Sequence, residues 1–189
     1  MRKYTFKLDQ YQIKTTRSRH KDTNYISAAL TVKDNETAAP VTKGTLTRFM
    51  GDQNDGFFPV GFSWDNLEVP EGGLVTMTYQ IMNSGHKDHA KAEKALTEVV
   101  TGQSSGSESS GGTLKDLLLE FATGLLLVDC DGPIAPPEGR HIVWHTFELN
   151  PMVPGTTGSD TINEHGNDSP VGCGKNSHYI VHVSVDALA

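Results

Sequence analysis

Tyr25-Ile26-Ser27-Ala28-Ala29-Leu30-Thr31-Val32 is the stretch on which the fold class turns. Ile26, Ala28, Leu30 and Val32 recur at every second position. Successive side chains of a strand point to opposite faces, so that period places all four on one face and predicts a half-buried strand. The same signal extends in both directions. Upstream, Tyr4, Phe6 and Leu8 alternate, and Tyr11 and Ile13 resume the alternation one position out of phase. Residues 3–14 therefore read as one bulged strand, or two short ones meeting near Asp9-Gln10.

Downstream, residues 41–49 read as a strand broken at Gly44, and Gly51-Asp52-Gln53-Asn54-Asp55-Gly56 as a turn, because Asn, Asp and Gly tolerate the positive φ of tight loops. Phe57-Phe58-Pro59-Val60-Gly61-Phe62 follows. Pro59 lacks the N–H a central ladder needs, which restricts this piece to an edge strand or a packed loop. Val75, Met77, Tyr79 and Ile81 alternate again, as do Val143, His145, Phe147 and Leu149, and finally Tyr179, Val181, Val183 and Val185. Between the last two, residues 150–176 are rich in Pro, Gly, Asn and Asp and read as a long loop.

In the middle the period changes. Ala92, Ala95, Leu96, Val99 and Val100 fall at i, i+3, i+4, i+7 and i+8 behind Asp88, a helix with an N-cap. The Ser, Gly and Glu tract 101–112 reads as a flexible connector. A second helix opens at Thr113, with Asp116 in capping-box spacing and Leu114, Leu117, Leu118, Phe121, Ala122 and Leu125 on one face. The expected fold is mainly β: an antiparallel β-sandwich forming a single domain over residues 1–189, with a two-helix insertion over residues 86–128.

Composition narrows the function. With 16 Lys and Arg against 23 Asp and Glu the formal charge is −7, and apart from one cluster over residues 14–21, which reads as a solvated strand end, the basic residues are scattered, which argues against a phosphate-backbone partner. The apolar run 117–128 is interrupted by Glu120 and Gly124 and falls well short of the roughly 20 residues that cross a bilayer. The start, Met1-Arg2-Lys3-Tyr4-Thr5-Phe6, lacks the apolar core of a secretory signal, so the expected location is the cytoplasm, or the outside by release without a classical signal peptide. Cys130 and Cys173 both sit in loop-like settings and read either as a disulfide or as two reduced thiols.

The chemistry the sequence points to is cation binding. Hard cations such as calcium take six to eight oxygens from carboxylates, amides and carbonyls, and their loops gather Asp and Asn around a Gly. Asp22, Asp52, Asp55, Asp129 and Asp131 are the candidate metal ligands, and calcium is the cofactor they would hold. The segment Asp22-Thr23-Asn24-Tyr25-Ile26, an acidic loop residue leading into a Tyr-hydrophobic strand, resembles the calcium-dependent phospholipid-binding sandwich domains of protein kinase C and synaptotagmin. It lacks their Asp-Pro-Tyr form, and the resemblance covers only this short stretch.

Eight histidines offer a second chemistry, a metal-dependent hydrolase using His145 beside His182, since residues four apart on a strand lie too far apart to share a metal. A thiol nucleophile at Cys173, with Asn176 and His178, lacks the helix N-terminus that would activate it. A third class is a membrane-acting or toxin-like protein whose helical hairpin leaves the sheet. The leading expectation is a non-enzymatic binding or interaction module with a protein or lipid partner.

Overall fold

The computed structural model describes residues 1–16, 21–83, 89–104, 132–133, 142–149, 152–165 and 177–189. They form β1 (Arg2–Thr15), β2 (Asp22–Lys33), β3 (Val41–Gln53), β4 (Gly56–Val69), β5 (Leu74–Asn83), α1 (His89–Ser104), β6 (Gly132–Pro133), β7 (Val143–Phe147), β8 (Thr157–His165) and β9 (His178–Ala187). The chain is thus mainly β, with two antiparallel sheets and one described helix. The first sheet has the order β4-β1-β9-β8, and the second β3-β2-β5 with β6 and β7 both pairing with β5.

The alternating residues of the sequence line the space between the sheets. Tyr4, Phe6, Leu8, Tyr11 and Ile13 of β1, Ile26, Ala28, Leu30 and Val32 of β2, Val75, Met77, Tyr79 and Ile81 of β5, and Tyr179, Val181, Val183 and Val185 of β9 belong to one buried cluster. The phase slip in β1 is a bulge: its register against both β4 and β9 shifts between Leu8 and Gln10 while the strand continues. Each fully buried large side chain contributes roughly 1.5–3 kcal/mol relative to leaving it in water, which makes this cluster the main source of stability.

β2 is buried on both faces, because α1 covers the outer face of its sheet. Tyr25, Met82, Ala92 and Leu96 form a smaller cluster there, with Phe49 against it, and the helix buries Ala92, Leu96, Val99 and Val100 as its spacing predicts. Hydroxyl pairs supplement the contact: Thr47 with Thr97 at 2.6 Å and Thr45 with Thr101 at 2.9 Å. Glu93 also accepts the Phe49 backbone N–H at 2.7 Å.

Several expectations are corrected. Gly44 does not break β3. It sits at φ 153° inside a continuous strand, a conformation that glycine adopts without Cβ strain. The turn at residues 51–56 is reduced to Asn54 and Asp55, since Gly51, Asp52 and Gln53 pair with β2. The long loop over residues 150–176 contains β8, which pairs with β9 from Thr157↔Asp186 to His165↔His178. Its sequence, TGSDTINEH, has only one large apolar residue, so apolar alternation could not reveal it. Helix α1 runs on to Ser104, into the tract expected to be connector. The second expected helix, from Thr113, and the Asp88 N-cap lie outside the described residues.

Candidate functional site

The two sheets meet differently along their two long sides. On one side the chain itself passes from β3 to β4, and side chains lock the strands together. Trp64 Nε1 donates to the Gly44 carbonyl at 3.2 Å, Arg48 donates to the Val60 carbonyl, and the Arg48 guanidinium lies 5.4 Å from the Phe62 ring centre. A Cβ at residue 44 would stand 3.4 Å from Trp64 Nε1, so glycine also permits this close approach.

Among the described residues the opposite side, between β7 and β8, is open. A cleft of about 320 Å³ lies there, lined by His145, Phe147 and Glu148 from β7 and its end, Gly158 and Asp160 from β8, and Val183 and Val185 from β9 among others. His145 faces the interior because Val143 and Phe147 flank it on the same face. Its ring meets Phe147 edge-on at 4.8 Å, and Phe147 in turn meets Phe6 at 5.0 Å. Its side chain is 12% exposed, while that of Asp160 is 64% exposed. Burial lowers the His145 pKa, opposed in part by the Asp160 charge, so the imidazole is neutral at pH 7. Nδ1 stands 3.8 Å from Asp160 Oδ2, beyond hydrogen-bond reach.

One end of the interior is polar. Tyr179 donates to Asp22 Oδ2 at 2.7 Å, Asn24 Nδ2 donates to Gln53 Oε1 and to Tyr179 Oη at 3.0 Å each, and Tyr11 donates to Gln53 Oε1. Asn83 Oδ1 accepts the Thr23 N–H at 2.8 Å. Beside them Tyr79 donates to Glu164 Oε1 at 2.9 Å. Burial raises the phenol pKa values of Tyr11, Tyr79 and Tyr179, and it also raises the Glu164 carboxyl. Interlocked groups of this kind fix one arrangement of strands, since any member left unpaired would bear a full desolvation cost.

The expected calcium ligands distribute as follows. Asp22 is fully buried in that polar end, whereas Asp52 is exposed and bound to Lys21 and to Thr23 Oγ1 at 2.6 Å. The hydrogen bond from Lys21 lowers the Asp52 pKa first, and the one from Thr23 adds to it. Asp22 pairs with Gln53 and Thr23 with Asp52, and because strand neighbours alternate, the two carboxylates lie on opposite faces of the sheet. Asp55 is exposed in the turn that follows. Asp129, Asp131, Cys130 and Cys173 lie outside the described residues. Among the described residues no three His, Cys, Asp or Glu gather closely enough to hold a metal ion.

His145 and His182 are not brought together. His182 alternates with the inward Val181 and Val183, so it lies on the outer face of the first sheet, with Phe57 6.4 Å away between ring centres. His178 instead stacks on His165 at 4.0 Å. Among the described residues no helix is long and apolar enough to cross a membrane.

Sequence reasoning missed the Tyr11, Gln53 and Tyr179 part of the polar end and the role of Asp160. A signal for the first was present: tyrosine rather than phenylalanine at inward positions requires a partner for the hydroxyl. Comparisons with protein-family models, curated proteins and solved structures found no match.

Proposed function

We propose that this chain is a β-sandwich acting as a non-enzymatic binding module, with its ligand entering the open side between β7 and β8. The observation that supports this reading is the contrast between the two sides: side chains close one, while the other keeps a cleft of about 320 Å³ with a neutral imidazole, carboxylates and apolar walls. That volume lies at the small end of ligand sites, and the mixture of apolar wall with a few polar groups is their usual lining. Backbone NMR of the labelled protein against a set of small fragments tests it. Shifts should concentrate on His145, Phe147, Gly158 and Asp160; shifts confined to other regions, or none, would remove the reading.

A second reading keeps calcium, with Asp22 as its anchor. Its support is the gathering of side-chain oxygens at the polar end, where Asp22 pairs with Gln53 and Asn24 with Asn83 across neighbouring strands. Calcium should then raise the melting temperature and a chelator should reverse the rise. An unchanged melting curve at millimolar calcium would rule it out.

A further inference from the structure

We infer that the cleft between β7 and β8 takes a small organic cation, a primary ammonium on a short aliphatic stem. The inference rests on the cleft being the binding place and adds the chemical class of what enters it.

The charges of the lining point one way. Among the described residues the ionisable groups of the lining are His145, Glu148 and Asp160, with neither Lys nor Arg. Lys7, on the neighbouring β1, is held by Asp186 at 2.6 Å on the outer face of the sheet, which keeps its ammonium from serving the cleft. An anionic ligand would meet two carboxylates of like charge, with no cation among the described lining residues to offset them, which disfavours its entry. A cation meets the reverse.

The geometry selects an ammonium among cations. His145 Nδ1 and Asp160 Oδ2 stand 3.8 Å apart and make no hydrogen bond to each other. As a neutral ring, His145 can present Nδ1 as an acceptor when its proton sits on Nε2. An ammonium has three donors and no acceptor, so it can bridge Nδ1 and Oδ2 and leave its third N–H to water, while the charge of the exposed lining residue Glu148 adds attraction. Charge-assisted bonds of this type are the strong ones. The rest of the wall, Phe147, Val183 and Val185, is apolar and suits a hydrocarbon stem. Around Gly158 the wall is packed and apolar, since a Cβ there would stand 3.4 Å from Val185 and 3.5 Å from Met152.

Two sources could supply this group, a free amine or a lysine side chain of another polypeptide. The test uses the full chain, isotope-labelled, titrated with n-butylammonium chloride, with Nα-acetyl-lysine amide, and with n-butanol and butyrate as neutral and anionic counterparts. Saturable shifts at His145, Phe147, Gly158 and Asp160 are expected with the ammonium compounds and not with the counterparts. Binding of butylammonium alone assigns a free amine; binding of both assigns a lysine side chain as an acceptable occupant. Asp160→Asn should weaken binding roughly tenfold, the usual size of a lost hydrogen bond between charged groups, and Glu148→Gln by less. Glu71→Gln, a charge change on the exposed turn between β4 and β5, should leave binding unchanged. Melting temperature checks folding of each variant. If n-butanol or butyrate shifts the cleft residues as strongly as butylammonium does, the ligand class is overturned while the cleft stands as the binding place. If no compound shifts them, both are overturned. Equal weakening by Glu71→Gln would mean diffuse attraction to a protein of charge −7 and would also overturn the class.

Discussion

The two long sides of this molecule are built from the same kind of strand pair and end up in opposite states. At β3 and β4, one large ring and one long cation reach across to backbone carbonyls, Trp64 to Gly44 and Arg48 to Val60. At β7 and β8 the facing side chains are His145 and Asp160, which stop 3.8 Å short. The lesson is that edge strands of stacked sheets close only where a side chain is long enough to span the gap and has a donor at its tip. A buried carbonyl takes such a donor readily, because an unpaired one is costly. Where the side chains are shorter, the gap persists as a cleft.

The largest test of this contrast is on the closed side. Trp64 is 6% exposed, so Trp64→Ala should destabilise by about 3–5 kcal/mol, the range for removing a large buried aromatic. Trp64→Phe keeps most of the ring but leaves the Gly44 carbonyl without its donor, and should cost about 1–3 kcal/mol. Urea unfolding measures both. A Trp64→Phe variant as stable as the parent would show that packing alone closes this side.

A pH experiment sharpens the view of the open side. The folded-state pKa of His145 lies below its ordinary 6.5, because burial disfavours the imidazolium. The unfolded chain therefore binds this proton more readily. Its contribution to stability is fully present above pH 6.5 and is lost as the pH falls through 6.5 and then through the lowered value. Melting temperatures taken between pH 7.5 and pH 5 should fall less steeply for His145→Gln than for the parent. The remaining fall includes His178, whose pKa is also lowered by burial, and by His165 and Lys14. Identical slopes would mean that water already reaches His145 freely.

The smallest expected effect is Asp160→Asn. With Asp160 largely exposed and out of hydrogen-bond reach of His145, the substitution should change stability by less than about 0.5 kcal/mol. A loss as large as that of Trp64→Phe would break the comparison, since it would make the His145 and Asp160 contact a clasp equal to the one across the molecule.

How much of this could be read beforehand varies by element. β1, β7 and β9 were legible because each buries mainly one face, which writes a period of two into the sequence. β2 and β5 are buried on both faces but were legible too, because small or polar residues such as Ser27, Thr31, Thr78 and Gln80 stand on the outer one and keep that period. β8 was not, since it is an edge strand whose residues are mostly exposed and polar, and backbone pairing with β9 leaves no apolar pattern. Of the candidate ligands, Asp22 and Asp52 read from the sequence as loop and turn residues, whereas both belong to strands, β2 and β3. That one turns inward to Tyr179 and the other outward to Lys21 follows from the register of β2 against β3.

The sequence by itself determined that this is a β protein with a helix in its middle third, because periodicity reflects which side chains each element must hide, and hiding apolar surface is the main driving force of folding. Only the tertiary structure decided which strands became edges, which side of the sheets closed, and that His145 faces Asp160 rather than His182. Those outcomes depend on strand order and on contacts between residues distant in the chain. A local pattern carries no record of either.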